Sequence, residues 1–375
     1  MNIIVSGGGT GGHIYPALTI IRAIERRTPS AKILYVGTPH GLEADIVPRE
    51  GIDFAAMELS GFERRLTLSN ILRAGRALYA VWQARSIVRS FRPHVAIGTG
   101  GYVAGPILLA ASLAGVPTLV QEQNVFAGVT NRILARFATA IAVGMEDATG
   151  VFPKQKTFVT GNPIRAEVCT ATREEGARVF GLSSGKKTVL VSGGSRGARS
   201  INRAMIDVLA HAAGQTDVQY LHVTGADEHA DTLARLHARG VRLEDSPHIR
   251  VLPYLYNMPQ AMAMADLAVF RAGATGLAEL AARGVPAILI PYPYAAENHQ
   301  EKNARALEAA GAAKVIRNSD ISAEVLEGAL HALLTDDARR LAMATAMKRL
   351  GKPEAADEIA ALALRICEGD GGANC

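Results

Sequence analysis

The residues able to do chemistry in this 375-residue chain gather in a few short glycine-rich stretches. The first, 6-SGGGTGGHIYP-16, sets five glycines and a histidine directly after the apolar run Ile3-Ile4-Val5. Glycines permit a tight turn and leave backbone N–H groups uncovered, and a helix starting there aims its positive end at the same point. Such a stretch suits an anion or a sugar phosphate. Imidazole ordinarily titrates near neutrality, which makes His13 a candidate general base. Glu122, following the apolar run 118-TLVQ-121, is the competing base, and residue types alone do not choose between them. Two further loops repeat the theme. The stretch 192-SGGSRGA-198 offers amides and the Ser195 hydroxyl to a diphosphate. In 271-RAGATGLAEL-280, small residues clear space before Glu279, a carboxylate able to accept both hydroxyls of a ribose.

Several chemistries are excluded by what is missing. Gly7, Gly9 and Gly12 keep the G-x-G-x-x-G spacing of dinucleotide sites. The end of the second strand, 36-VGTPHG-41, lacks the acid that would hold an adenosine ribose, which argues against a nicotinamide-linked oxidoreductase. No D-x-D occurs, and no His, Cys and carboxylate set has metal-ligand spacing, so no metal or other cofactor is expected. A departing diphosphate must then be stabilised by helix ends, loop amides and arginines. The three cysteines, Cys169, Cys367 and Cys375, are scattered, which indicates a reducing compartment. The chain enters a strand at once, leaving no room for a signal peptide.

The elements that must hold these loops show as alternation. Strand-like runs cover 2–5, 32–36, 94–97, 118–121, 139–143 and 157–160, then 187–191, 218–223, 249–252, 266–270 and 286–290. Helical patterns lie between them at 13–27, 126–138, 199–213, 275–283 and 297–310. This predicts an α/β protein with two Rossmann-like parallel-sheet domains, 1–163 and 164–350, with the seam at 161-GNPIR-165. Residues 3–21 and 189–206 are a faint internal repeat of strand, glycine loop and helix. Two such units facing each other across a cleft would bring both glycine loops together, at the strand ends where open α/β sheets bind ligands. A tail helix at about 354–366 is expected to pack back on the first domain.

Charge is uneven: residues 1–163 carry a net +6 and the remainder −1. Arg64, Arg65, Arg73, Arg76, Arg85, Arg89 and Arg92 are interleaved with apolar residues such as Trp82 and accompanied only by Glu63. A core helix with a solvated arginine face accounts for part of this; the other reading is a basic amphipathic surface for anionic lipid. No nucleic-acid motif accompanies the arginines. The stretch from 93 to 121 has no Asp, Glu, Lys or Arg, but glycines and prolines break it too often for a membrane span.

Taken in order, GGTGGH, GTGGYVAGP, QEQN, GNPIR, GGSRGA, RAGATGLAEL and ENHQEKNA resemble the MurG family across Gly8 to about Asn303. These are peripheral membrane transferases that add N-acetylglucosamine to undecaprenyl-pyrophosphoryl-MurNAc-pentapeptide (lipid I), giving lipid II. The resemblance implies the GT-B fold, UDP-GlcNAc held mainly by the C-terminal domain, an anionic inner-leaflet surface as partner, and residence at the cytoplasmic face of the inner membrane. It implies that Thr10, Gly11 and Gly12 line the donor from the N-terminal side, with His13 in the acid/base position. Asn124 would contact the GlcNAc or position the acceptor, while Arg165 and Ser195 approach the donor. Leu255 takes the position whose backbone recognises uracil. Ala274, Thr275, Gly276, Leu277, Ala278 and Glu279 would cradle diphosphate and ribose, Gln300 the GlcNAc hydroxyls, and Arg271 the leaving diphosphate. A UDP-GlcNAc 2-epimerase and a non-enzymatic nucleotide-sugar sensor share this architecture and stand as alternatives.

Overall fold

The structure, a computed structural model, describes residues 1–59, 69–145, 150–194 and 196–368, with the side chains of 69–78 left out. Ser195, Arg64 and Arg65 lie outside the described residues, and Arg73 and Arg76 are described by backbone alone.

The chain forms two compact units, one running from Met1 to Ile164 and rejoined from Glu354, the other from Arg165 to Pro353. The first unit carries β1 (Asn2–Ser6), β2 (Lys32–Gly37), β3 (Asp53–Ala56), β4 (Val95–Gly98), β5 (Thr118–Glu122), β6 (Ala140–Val143) and β7 (Thr157–Val159). They form one parallel sheet in the order β3-β2-β1-β4-β5-β6-β7. The second unit carries β8 (Lys187–Ser192), β9 (Val218–Val223), β10 (Ile249–Leu252), β11 (Leu267–Phe270), β12 (Ala287–Leu289) and β13 (Ala313–Val315). Its parallel order is β10-β9-β8-β11-β12-β13.

Helices on both faces bury the central strands, so β4, β5 and β6 are buried along their whole length, and β4 and β6 read as continuous apolar runs. The edge strands β3 and β13 have no such signature and are absent from the sequence-derived set. Asp-Phe-Ala-Ala is half-exposed, and Ala-Lys-Val is three residues long with a lysine at its centre. The helical pattern at 126–138 is also corrected. Only Val129–Leu134 is helical, because the backbone at Gly128 is held on the Glu122 carboxylate and the chain beyond Leu134 folds into a turn.

In each sheet the order reverses once, between β1 and β4 in the first and between β8 and β11 in the second. Neighbouring strands there send their connections to opposite faces, which opens a crevice at their carboxyl ends. The loops at 7–10 and 99–103 follow β1 and β4, and those at 193–198 and 271–273 follow β8 and β11. Topology thus puts each glycine loop at its sheet's switch point.

The helix Gly11–Arg27 packs Ile14, Ile20, Ile21 and Ile24 into the first unit's core. The helix Ala355–Glu368 adds Ala356, Ile359, Ala360 and Ala363 to that core, and its Asp357 meets Arg26 at 3.3 Å.

Candidate active site

Within the first unit, two glycine loops interlock around His13. Its Nδ1 lies 3.0 Å from Gly8 O and 3.4 Å from Thr10 Oγ1. Donation from Nδ1–H to the Gly8 carbonyl selects the tautomer whose lone pair sits on Nε2, which is the form a general base needs. Thr99 Oγ1 donates to His13 O at 2.8 Å, and Gly8 N reaches Gly100 O at 3.4 Å. Gly100 has φ of +104°, and a Cβ there would stand 2.9 Å from the imidazole Cδ2. Both the backbone conformation and the space demand glycine. Thr10 and Gly12 are exposed and Gly11 half-buried at the start of the helix, beside the ring.

The loop departs from its sequence reading as an open anion cradle. Gly8 N–H is donated to Gly100 O and Gly9 N–H to Glu43 Oε2 at 3.2 Å, so these amides face inward rather than toward a ligand.

Glu122 is buried with four donors on its two oxygens. Asn124 N and Nδ2 approach Oε1 at 2.9 and 3.1 Å, and Gly128 N and Asn131 Nδ2 approach Oε2 at 3.0 and 2.9 Å. The carboxylate organises the turn that carries Asn124. Its lone pairs are engaged within the protein.

In the second unit the structure joins two residues that lie 114 positions apart. Arg165 donates to Glu279 Oε1 from Nε at 3.1 Å and from Nη2 at 2.9 Å. Glu279 sits in the second turn of the helix Ala274–Arg283, and burial raises its carboxyl above the usual range while Arg165 pulls the other way. Along the exposed side of the same helix start lie Thr275, Gly276 and Ala278, half-buried, while Ala274 and Leu277 are buried.

Arg271 is more deeply committed than its sequence role suggests. Nη1 donates to Ile290 O, Pro291 O and Asn318 Oδ1 at 3.0, 3.1 and 2.8 Å, and Nη2 to Ser200 Oγ at 3.1 Å. Its guanidinium also lies 5.6 Å from the Tyr292 ring centre. All four acceptors are neutral, and burial lowers its pKa to about 10. The arginine therefore ties β11, the loop after β12 and the helix Arg199–Ala212 together.

Leu255 is buried after β10, between the exposed Tyr254 and Tyr256, whose rings meet edge to face at 4.8 Å. Gln300 Oε1 accepts from Tyr292 N at 2.9 Å, which turns the amide Nε2 to donate elsewhere. It stands in the first turn of the helix His299–Ala309, entered through Glu297 and Asn298, both left-handed at φ +52° and +55°. Non-glycine residues held in that region mark a locally over-determined loop.

Residues 3–143 match the glycosyltransferase family 28 N-terminal domain, and residues 188–359 match the glycosyltransferase family 28 C-terminal domain. A protein of Desulfitobacterium hafniense (strain Y51) is 49% identical over 360 residues, covering 96% of this chain and 97% of its own. Its name is UDP-N-acetylglucosamine--N-acetylmuramyl-(pentapeptide) pyrophosphoryl-undecaprenol N-acetylglucosamine transferase. This chain belongs to that transferase family. The crystal structure of Acinetobacter baumannii MurG superposes with a TM-score of 0.77 at 27% identity, over 97% of this chain and 99% of that one. The fold is accordingly GT-B, and the enzyme an N-acetylglucosaminyltransferase. The UDP-GlcNAc 2-epimerase of Neisseria meningitidis, bound to UDP-GlcNAc, shares the fold at a TM-score of 0.65, 13% identity and coverage of 97% and 100%.

Three groups in this transferase were not singled out from the sequence. Glu43 is fully buried beneath the first loop, Thr99 holds the His13 carbonyl, and Asn303, also fully buried, donates to Ala272 O at 3.3 Å. Thr99 and Asn303 lie inside motifs already quoted. Glu43 had no signal beyond a carboxylate in a helix's first turn, ordinarily a dipole partner.

Proposed function

We propose that this transferase moves N-acetylglucosamine from UDP-GlcNAc to the MurNAc O4 of undecaprenyl-pyrophosphoryl-MurNAc-pentapeptide (lipid I), forming lipid II for peptidoglycan. The near-full-length 49% identity to a transferase named for that acceptor carries the reading. The donor is held by the second unit: uracil at the Leu255 backbone, ribose at Glu279 oriented by Arg165, diphosphate over the loop containing Ser195 and the start of the helix Ala274–Arg283, and sugar at Gln300. Thr10, Gly11, Gly12 and Asn124 of the first unit serve the sugar and the acceptor.

The reaction inverts C1. As the O4–C1 bond forms, the bond from C1 to the diphosphate oxygen breaks, the O4 proton passes to a base, and UDP departs. Loop amides, the helix end and the Arg271 charge offset the negative charge developing on the diphosphate. His13 is the base we favour, because its Nδ1 hydrogen bond to Gly8 O selects the tautomer with the lone pair on Nε2, whereas Glu122 already takes four donors.

The lipid-linked acceptor requires a membrane surface. Among the described residues no helix is long and apolar enough to cross one. The exposed Trp82, stacked on Tyr79, lies on the helix Ser69–Phe91 with the exposed Arg85 and Arg89. Exposed Leu113, Ile133 and Phe137 lie on or just beyond the helices Ala104–Leu113 and Val129–Leu134, which pack beside it in turn. Apolar anchors flanked by arginines suit peripheral attachment to the cytoplasmic face of the inner membrane.

Radiolabelled UDP-GlcNAc incubated with a short-chain lipid I analogue should yield a labelled disaccharide lipid on chromatography. ManNAc formed from UDP-GlcNAc alone would establish an epimerase instead, and intact donor in both incubations a sensor.

A further inference from the structure

Glu43, in the first turn of the helix Leu42–Arg49, is fully buried and has no counter-cation among the described residues. Oε1 accepts from Thr38 N at 3.1 Å and Thr38 Oγ1 at 2.7 Å; Oε2 accepts from Gly9 N at 3.2 Å. Glycines from two segments make room for it. A Cβ at Gly8 would stand 2.6 Å from Oε1, one at Gly37 2.6 Å from Cγ, and one at Gly41 would strike the carboxyl itself. Beside it, the Tyr35 hydroxyl donates to Gly7 O, and burial with the nearby carboxylate holds that phenol well above its ordinary range. Desolvating an unpaired carboxylate is costly, so its three donors must compensate for it. The sequence could have closed this space with an apolar side chain.

The peptide unit between Gly8 and Gly9 suggests what the carboxylate does. Among the described residues no peptide bond is cis, so the N–H of Gly9 and the C=O of Gly8 point in opposite directions from one rigid plane. The N–H end donates to Glu43, and the C=O end lies 3.0 Å from His13 Nδ1. An anion at the N–H end polarises the amide and makes the carbonyl a stronger acceptor. Carboxylate, peptide and imidazole thus form one hydrogen-bonded chain.

We infer that Glu43 is a positioning residue for glycosyl transfer, fixing the ring orientation and Nδ1–H tautomer of His13 through the Gly8–Gly9 peptide. Carboxylates that orient a catalytic imidazole ordinarily touch the ring; here one peptide unit intervenes. The inference rests on His13 being the base.

Glu43→Gln tests it, because the isosteric amide sets an NH2 among three donors and removes the charge. With purified full-length enzyme, kcat should fall about 10- to 100-fold, the scale on which orienting partners of a functional imidazole act. The KM values for UDP-GlcNAc and the lipid I analogue should stay within about twofold, because no substrate group is removed. In 15N-histidine spectra, with His13 assigned by its loss in His13→Gln, the ring should shift away from the Nδ1–H form. In a His13→Ala background, Glu43→Gln should cost nothing further, since both act through one group. An unchanged tautomer signal, an unchanged kcat, an equal second loss in the double variant, or a kcat loss matched by the fraction unfolded would each overturn the inference. Should Glu43→Gln not fold, Thr38→Val removes one donor and keeps the charge; a milder kcat loss with the same spectral shift is expected, and a lowered Tm alone overturns the inference. Near-normal turnover in His13→Ala would instead sink the base assignment, an outcome separate from these.

Discussion

At the scale of single residues, one acid and one imidazole compete for the role of base, and their hydrogen bonds separate them. His13→Ala should reduce kcat by about 10²–10⁴, the range for a lost general base. Steady-state kinetics with the lipid I analogue reads this directly. Glu122→Gln should behave differently. Four N–H donors converge on that carboxylate, and an amide in its place sets donor against donor. The expected cost is about 1–3 kcal/mol of stability, seen as a lower Tm, with kcat following the folded fraction. A large kcat loss at unchanged Tm would return the base role to Glu122. Glu279 and Arg165 form the third case. Burial already disfavours the charged carboxylate, and Arg165 is the group that opposes this. Arg165→Ala should therefore push the Glu279 carboxyl higher still and leave it a weaker acceptor for ribose. Both Arg165→Ala and Glu279→Ala should raise the KM for UDP-GlcNAc about tenfold or more, the value of one hydrogen bond to a charged group. Because the two share one contact, the double variant should fall well short of the product of the single effects.

At the scale of elements, the loops are held by each other as much as by their strands. Gly101 has φ of +83°, and a Cβ there would press on the Gly8 carbonyl, the acceptor for His13. Gly101→Ala should cost about 1–2 kcal/mol in backbone strain and, by displacing Gly8, lower kcat beyond what the Tm change explains. The same dependence on tertiary partners marks where sequence reasoning stops. Strands β1, β4, β5 and β6 are legible because helices cover both faces and give each a buried apolar stretch. Of the edge strands, β3 opens on an aspartate and ends in two alanines and β13 is three residues with a central lysine, so neither carries the apolar run that reports a strand. The glycine loops are legible as positions, since each ends a strand at a switch point. Their hydrogen bonds are not, since Glu43, Asn131 and Asn303 are met only across the fold. An acid in a helix's first turn reads as a dipole partner until Gly8, Gly37 and Gly41 are found packed around it.

At the scale of the whole molecule, the excess positive charge lies in the first 163 residues, which carry a net +6 against −1 for the remainder. Attachment to an anionic bilayer through the first unit has two separable terms. Arginines attract the surface by about 1 kcal/mol each, and that attraction fades as salt shortens the Debye length. Exposed rings and aliphatic side chains insert at the headgroup boundary, and their contribution persists in salt. Arg85→Gln with Arg89→Gln should therefore weaken binding to phosphatidylglycerol vesicles about tenfold or more at low ionic strength and much less at 0.5 M salt. Trp82, 64% exposed, acts through the other term. Trp82→Ala should weaken binding by a similar factor at both salt concentrations. Turnover of a water-soluble lipid I analogue should be unchanged in both variants, because neither arginine nor the tryptophan belongs to the transfer site. Vesicle sedimentation across a salt series resolves the two slopes. Undiminished binding in both variants would move the docking surface away from the helix Ser69–Phe91, and lost turnover of the soluble acceptor would place these residues in the acceptor site instead.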